Sequence, residues 1–231
     1  MREALLILAL WAVFAALHLI PSDRRIRAAC VRRLGLPLFH ALYSLLSLAV
    51  FVPLFAYYLA HRHAGPMGWA SAGPYVVAKY LNYAVMGLAF ALLFGAFAPA
   101  TRRAWRAAVD EGAAPGGLVA VTRHPALVGV ALYGVAHLLV NGFASDVAFF
   151  GGWILLGGIG VAHADRRLAR EHAEFKRVLD ATSIVPFAAI LRGRAGLRLA
   201  DLPWGAIMLG IATAALIRTH HGALVAAITP G

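Results

Sequence analysis

The chain has 231 residues, of which 61% are hydrophobic and 13% charged, and its mean hydropathy is +0.76. A soluble domain is ordinarily about 45–50% apolar and about 25% charged, so this composition excludes a soluble enzyme and points to an all-α integral membrane protein. The formal charge of +11 would suggest nucleic acid in a soluble chain. Here the basic residues lie between apolar runs, where membrane topology and anionic lipid account for them and nucleic acid does not.

A spanning helix needs roughly 20 apolar residues. The first candidate runs from Ala4 to Ile20 and reads as a retained helix, because basic residues follow it rather than a small-residue cleavage site. The second runs from about Leu38 to Leu59, with Pro53 inside it as a kink. The third covers about Val76 to Ala98 and is stopped by Pro99. The fourth covers Pro125 to Val140 and is extendable backwards through Leu118. The fifth covers about Val147 to Ala162. Its glycines at 151, 152, 157, 158 and 160 suit close helix contact. The sixth covers about Leu202 to Ile217, and a weak apolar tail follows.

From Asp165 to Leu179 charges dominate, while Leu168, Phe175, Val178 and Leu179 form one apolar face. That pattern predicts one amphipathic surface helix on the cytoplasmic side. No internal repeat interrupts this order, so residues 1–231 read as a single transmembrane domain. All but four of the 21 Lys and Arg fall after the first, third and fifth spans. The exceptions are Arg2, Arg62, Lys79 and Arg218. The positive-inside rule then puts both termini outside, in the periplasm of a bacterial inner membrane, and supports about six spans. The single cysteine, Cys30, excludes an intramolecular disulfide.

Ten histidines are present. His61 and His63 read as outer-loop residues, His220 and His221 as interfacial residues after the last span, and His172 as a solvated position on the charged helix. His18, His40, His124, His137 and His163 lie in or at the ends of spans. Neutral imidazole ligates iron, copper or zinc, and histidines on facing bundle helices hold haem or metal. The alternative for each is an interfacial ring bonded to water or a carbonyl. His137 lies 13 residues beyond His124, roughly 20 Å along a helix. Pairing His137 with His18 therefore requires their depths to match, which the span boundaries above do not provide. No H-E-x-x-H, Walker or G-x-S-x-G motif is present. Asp146 is the one acid near the outer end of the fourth span, and Glu171 and Glu174 read as surface charges.

The run RHPALVGVALYGVAHLLVNGFASD, Arg123 to Asp146, resembles the signature of the NnrU family of bacterial membrane proteins. Leu42–Leu54 resembles that family's second helix, His18 stands where the family has an early histidine, and Thr182–Arg194 resembles a tail found in many members. The family name carries a link to nitrite and nitric oxide metabolism. The related 15-cis-zeta-carotene isomerases of plants and cyanobacteria are membrane haem proteins with the same interval between two histidines. The resemblance therefore implies haem b held by His137 and His18, while His124 and His40 stay candidates through their position at the ends of spans. It also implies isomerase-like or redox chemistry on a small apolar or lipid-like molecule in the bilayer. Arg123 is expected near the cytoplasmic face, where it can pair with a haem propionate.

A second likeness runs through Arg123, His124, Pro125 and Gly129 and the segment RRLAREHAEFKRVLD. These resemble isoprenylcysteine and phospholipid methyltransferases, although Leu127 stands where those enzymes carry a tyrosine. That likeness implies S-adenosylmethionine held at the cytoplasmic face by His124, Glu171 and Glu174. A third reading is a cofactor-free regulatory or assembly subunit. Oligomeric state is left open.

Overall fold

The computed structural model describes residues 1–69 and 75–229. Among the described residues there are eleven α-helices and no β-strand. They are α1 (Arg2–Leu19), α2 (Arg24–Leu34), α3 (Leu36–Ala60), α4 (Tyr75–Ala96), α5 (Pro99–Asp110) and α6 (Gly117–Val121). They continue with α7 (Pro125–Leu138), α8 (Ala144–Glu171), α9 (Phe175–Ala181), α10 (Ala188–Leu191) and α11 (Trp204–Ile228). Five of them, α1, α3, α4, α8 and α11, are long and apolar enough to cross a membrane.

The fourth expected span differs. α7 has only 14 residues, and it does not extend back through Leu118, because Thr122 and His124 leave the helical region between α6 and α7. Pro125 explains the break: it disfavours helical geometry at the residue before it and opens the next helix at its first position. Two stretches expected as loops are helices. Asp23 caps α2 by accepting from the backbone N–H groups of Arg25 and Ile26 at 2.9 and 3.3 Å. Pro99 starts α5, whose buried Thr101, Ala108 and Val109 oppose a basic face.

The separate surface helix predicted over Asp165–Leu179 is not formed. Its first half continues α8 without interruption to Glu171, and its second half is the short α9. A charged stretch at the end of an apolar helix can keep its backbone bonds and simply emerge from the hydrocarbon. Likewise α11 absorbs the apolar tail, so His220 and His221 lie within a helix instead of after it. α3 stays helical through Pro53.

The described residues divide into two compact units. One draws on 1–69, 141–152 and 225–229, the other on 75–140 and 153–224. In the first, Trp11 meets the rings of Phe14, Phe51 and Phe149 at centroid distances of 5.6, 6.2 and 6.1 Å. Its indole N–H donates to the Phe149 carbonyl at 3.1 Å. Gly152 is required there, since a Cβ would lie 2.2 Å from the Trp11 ring.

In the second unit α4 and α7 pack backbone to side chain. A Cβ on Gly129 would stand 2.9 Å from the Ala89 carbonyl oxygen, and one on Gly157 would stand 2.7 Å from that of Leu127. This is the close approach that small residues permit in membrane helices. Leu92, Leu118, Val121, Val128 and Val161 form the core of that packing. A second cluster, Ala108, Val109, Leu168, Phe175 and Val178, joins α5, α8 and α9.

Candidate functional site

The break between α6 and α7 is the structural centre of the second unit. An unwound backbone needs partners for its polar groups, above all in an apolar surrounding. The segment after α9 supplies them. The Arg123 N–H donates to the Ser183 carbonyl at 3.1 Å, and the Phe187 N–H donates to the Val121 carbonyl at 2.9 Å. The Thr122 hydroxyl donates to the Ile184 carbonyl at 2.8 Å. Thr122 is fully buried. The Thr182–Arg194 tail is therefore a clamp on the RHP stretch.

With the backbone so held, Arg123 and His124 both reach Asp165 on α8. Arg123 Nε and Nη2 donate to the carboxylate at 2.7–3.1 Å, and His124 Nε2 donates to its Oδ1 at 2.7 Å. A forked guanidinium on a carboxylate is among the stronger polar contacts available to a protein. His124 is buried beside the Trp105 ring, 5.6 Å between centroids. Burial pushes its imidazole below the ordinary value, and the neighbouring Asp165 opposes that shift with the weaker effect. A pocket of about 360 Å³ opens beside these residues, lined by Arg102, Trp105, Arg106, Val119, Arg123 and Leu127 among others.

His137 lies in the last turn of α7. Its Nδ1 donates to the Tyr133 carbonyl one turn back at 3.0 Å, and its ring lies 4.4 Å from that of Tyr133. A carbonyl only accepts, so this bond puts the proton on Nδ1 and the lone pair on Nε2. Asn82 of α4 donates to the adjacent Ala136 carbonyl at 2.5 Å.

His18, in the first unit, is held in the same sense. The Ser47 hydroxyl donates to the Tyr43 carbonyl at 2.9 Å, so its oxygen accepts from His18 Nδ1 at 3.3 Å. Phe14 stacks on the His18 ring at 5.4 Å, Tyr43 flanks it at 5.1 Å, and the Tyr43 hydroxyl donates to the His18 carbonyl at 2.8 Å. An imidazole held through Nδ1 by an internal acceptor is the usual form of a haem-iron or metal ligand. The Nδ1 contacts of both residues fit that chemistry. His61 shares the anchor, to the Tyr57 carbonyl at 2.9 Å. His40 is exposed, with its ring 5.7 Å from Phe39. His124 has its Nε2 engaged by Asp165. No group of three or more His, Cys, Asp or Glu positioned to hold a metal ion occurs among the described residues.

A model of the family described as NnrU protein matches residues 5–228. The chain belongs to the NnrU family. It is 30% identical over 192 residues to the 15-cis-zeta-carotene isomerase of Zea mays chloroplasts, covering 81% of this chain and 50% of the relative. It is 29% identical over 186 residues to that of Arabidopsis thaliana, covering 79% and 49%. The chain thus spans about half the length of these curated relatives. No solved structure matches it.

Two carboxylate partnerships were not visible in the sequence. Asp165 stands inside a charged run, and nothing in its spacing marks a partner 42 residues upstream. Asp146 reads as an isolated acid, yet it is fully buried in the first turn of α8. It accepts from the Tyr58 hydroxyl at 3.0 Å and from His63 Nδ1 at 2.8 Å. His63, expected as a plain loop residue, adopts φ +57° to make that contact. Glu171 is a surface charge paired with Arg167 at 3.9 Å, while the half-buried Glu174 pairs with Arg177 at 2.8 Å.

Proposed function

We propose that this NnrU-family chain is an isomerase-like membrane protein that holds haem b through His137 and His18 and acts on an apolar, lipid-like molecule. The observation that carries this reading is the anchor the two rings share: in each, Nδ1 is bonded to an internal acceptor oxygen that fixes the orientation of the imidazole. The maize and Arabidopsis relatives supply the reaction class. Rotation about a carbon–carbon double bond needs no hydrolytic nucleophile and no net transfer of electrons, in keeping with the absence of hydrolase and nucleotide motifs from the sequence.

Held by His137 and His18, haem would supply a redox-active iron. The chain's own residues perform the rest. Ser47, Phe14 and Tyr43 fix the plane and tautomer of His18. The Tyr133 carbonyl does the same for His137. His124 and Arg123 are positioning residues, since both are committed to Asp165 and lock the start of the helix that ends in His137.

The test is the absorption spectrum of the detergent-purified chain, oxidised and after dithionite, with haem counted by pyridine haemochrome. The expected result is about one low-spin haem per chain, lost or turned high-spin in His137→Ala and His18→Ala and retained in His40→Ala. Absence of haem after reconstitution with hemin, or an unchanged spectrum in His137→Ala, overturns the reading.

A further inference from the structure

The pocket beside the RHP stretch has an excess of positive charge that the ligation scheme does not use. Arg123 and His124 are matched to Asp165. Of the nearby carboxylates, Asp110 pairs with His172 at 3.1 Å and Glu174 with Arg177 at 2.8 Å, while Glu111 caps the far end of α5. Arg102 and Arg106 line the same pocket with no carboxylate partner among the described residues. They sit one turn apart on α5, about 6 Å along its axis. Apart from Thr101, whose hydroxyl donates to the Gly95 carbonyl, the remaining lining is apolar, from Val119 and Leu127 to the Trp105 ring. α5 begins three residues after the apolar α4 ends. That is the level at which a spanning helix leaves the hydrocarbon and meets headgroups.

From these observations we infer that the pocket binds a phosphate monoester carried on an apolar chain. Arg102 and Arg106 hold the phosphate, and Val119, Trp105 and Leu127 receive the first part of the chain. A phosphate monoester carries about −1.5 to −2 charges near neutral pH, which matches two unpaired guanidiniums. Arginine forks suit its oxygens better than a point charge would. Basic pockets between membrane helices bind lipid headgroups on the same terms. Arg103 provides an internal control: it has the same charge on the same helix, but it does not line the pocket.

The experiment uses the full chain in phosphatidylcholine nanodiscs, titrated with dioleoyl phosphatidic acid, with inorganic phosphate as a separate arm. Bound lipid is counted by native mass spectrometry. The expected result is one saturable phosphatidic acid per chain. Binding is weakened about tenfold or more in Arg102→Gln/Arg106→Gln, roughly the loss of two charge-assisted contacts, and less than about threefold in Arg103→Gln. All three positions are exposed, so the variants keep the fold. Absence of saturable binding overturns the proposal, and so does an equal loss in Arg103→Gln, which indicates general surface charge. Inorganic phosphate binding as tightly as the lipid overturns the apolar half of the site and with it the proposal. Haem content of the same variants is read in parallel. Its retention separates this site from the ligation by His18 and His137.

Discussion

Each unit of the molecule contains a carboxylate that ties a histidine to α8, and the two do it differently. Asp146, in the first unit, is fully buried and receives, among the described residues, a phenol, an imidazole and the His63 backbone N–H at 3.3 Å. Asp165, in the second, is partly open to solvent and carries the fork of Arg123 as well as His124. The arginine in the second knot is a permanent cation, so that carboxylate stays matched whether or not the histidine is protonated. The first knot has no such cation among the described residues and depends on neutral donors and on His63. A buried charge without full pairing is costly. His63 makes its contact from a left-handed backbone angle that a non-glycine residue rarely adopts.

The comparison can be broken most directly at the carboxylates. Asp146→Ala leaves the buried Tyr58 hydroxyl and the His63 side chain without their acceptor. It is expected to destabilise the chain by about 3 kcal/mol, read as a lowered melting temperature in detergent. A loss below about 1 kcal/mol would mean that water replaces the carboxylate. Asp165→Asn keeps an acceptor but removes the charge under Arg123, and about 2 kcal/mol is expected. If it exceeds the loss in Asp146→Ala, the ranking of the two knots is reversed.

The smallest effect is a pH dependence. Because burial lowers the His124 proton affinity in the folded chain, the unfolded chain takes up that proton first. The contribution of neutral His124 is complete above its ordinary value of about 6.5 and is lost as pH falls below it. Melting temperature measured from pH 7.5 to 5.5 should therefore fall more steeply in the wild-type chain than in His124→Gln. Parallel curves would assign the dependence to other groups.

The class of fold, the positions of five spanning helices and the place of the RHP motif at a helix start were legible from apolar run length and from proline chemistry. Both act locally along the chain. The late start of α7 was only half legible: Pro125 marks a boundary, but the hydrogen-bond partners that make an unwound stretch tolerable lie some 60 residues later in Thr182–Phe187. α2 and α5 were missed because basic loops and basic amphipathic helices have similar composition, and only the buried Ala108 and Val109 face of α5 separates them.

What the sequence determined by itself was membrane residence in helices, the NnrU likeness and the identity of His18 and His137 as candidate ligands. Hydrophobic length and short motifs are properties of neighbouring residues. What only the tertiary structure decided was which groups meet: Asp165 with Arg123 and His124, Asp146 with Tyr58 and His63, and Arg102 and Arg106 with an apolar pocket. Those partners stand 41 to 88 residues apart for the carboxylates. At such separations no periodicity connects them, and side-chain packing in three dimensions alone sets the pairing.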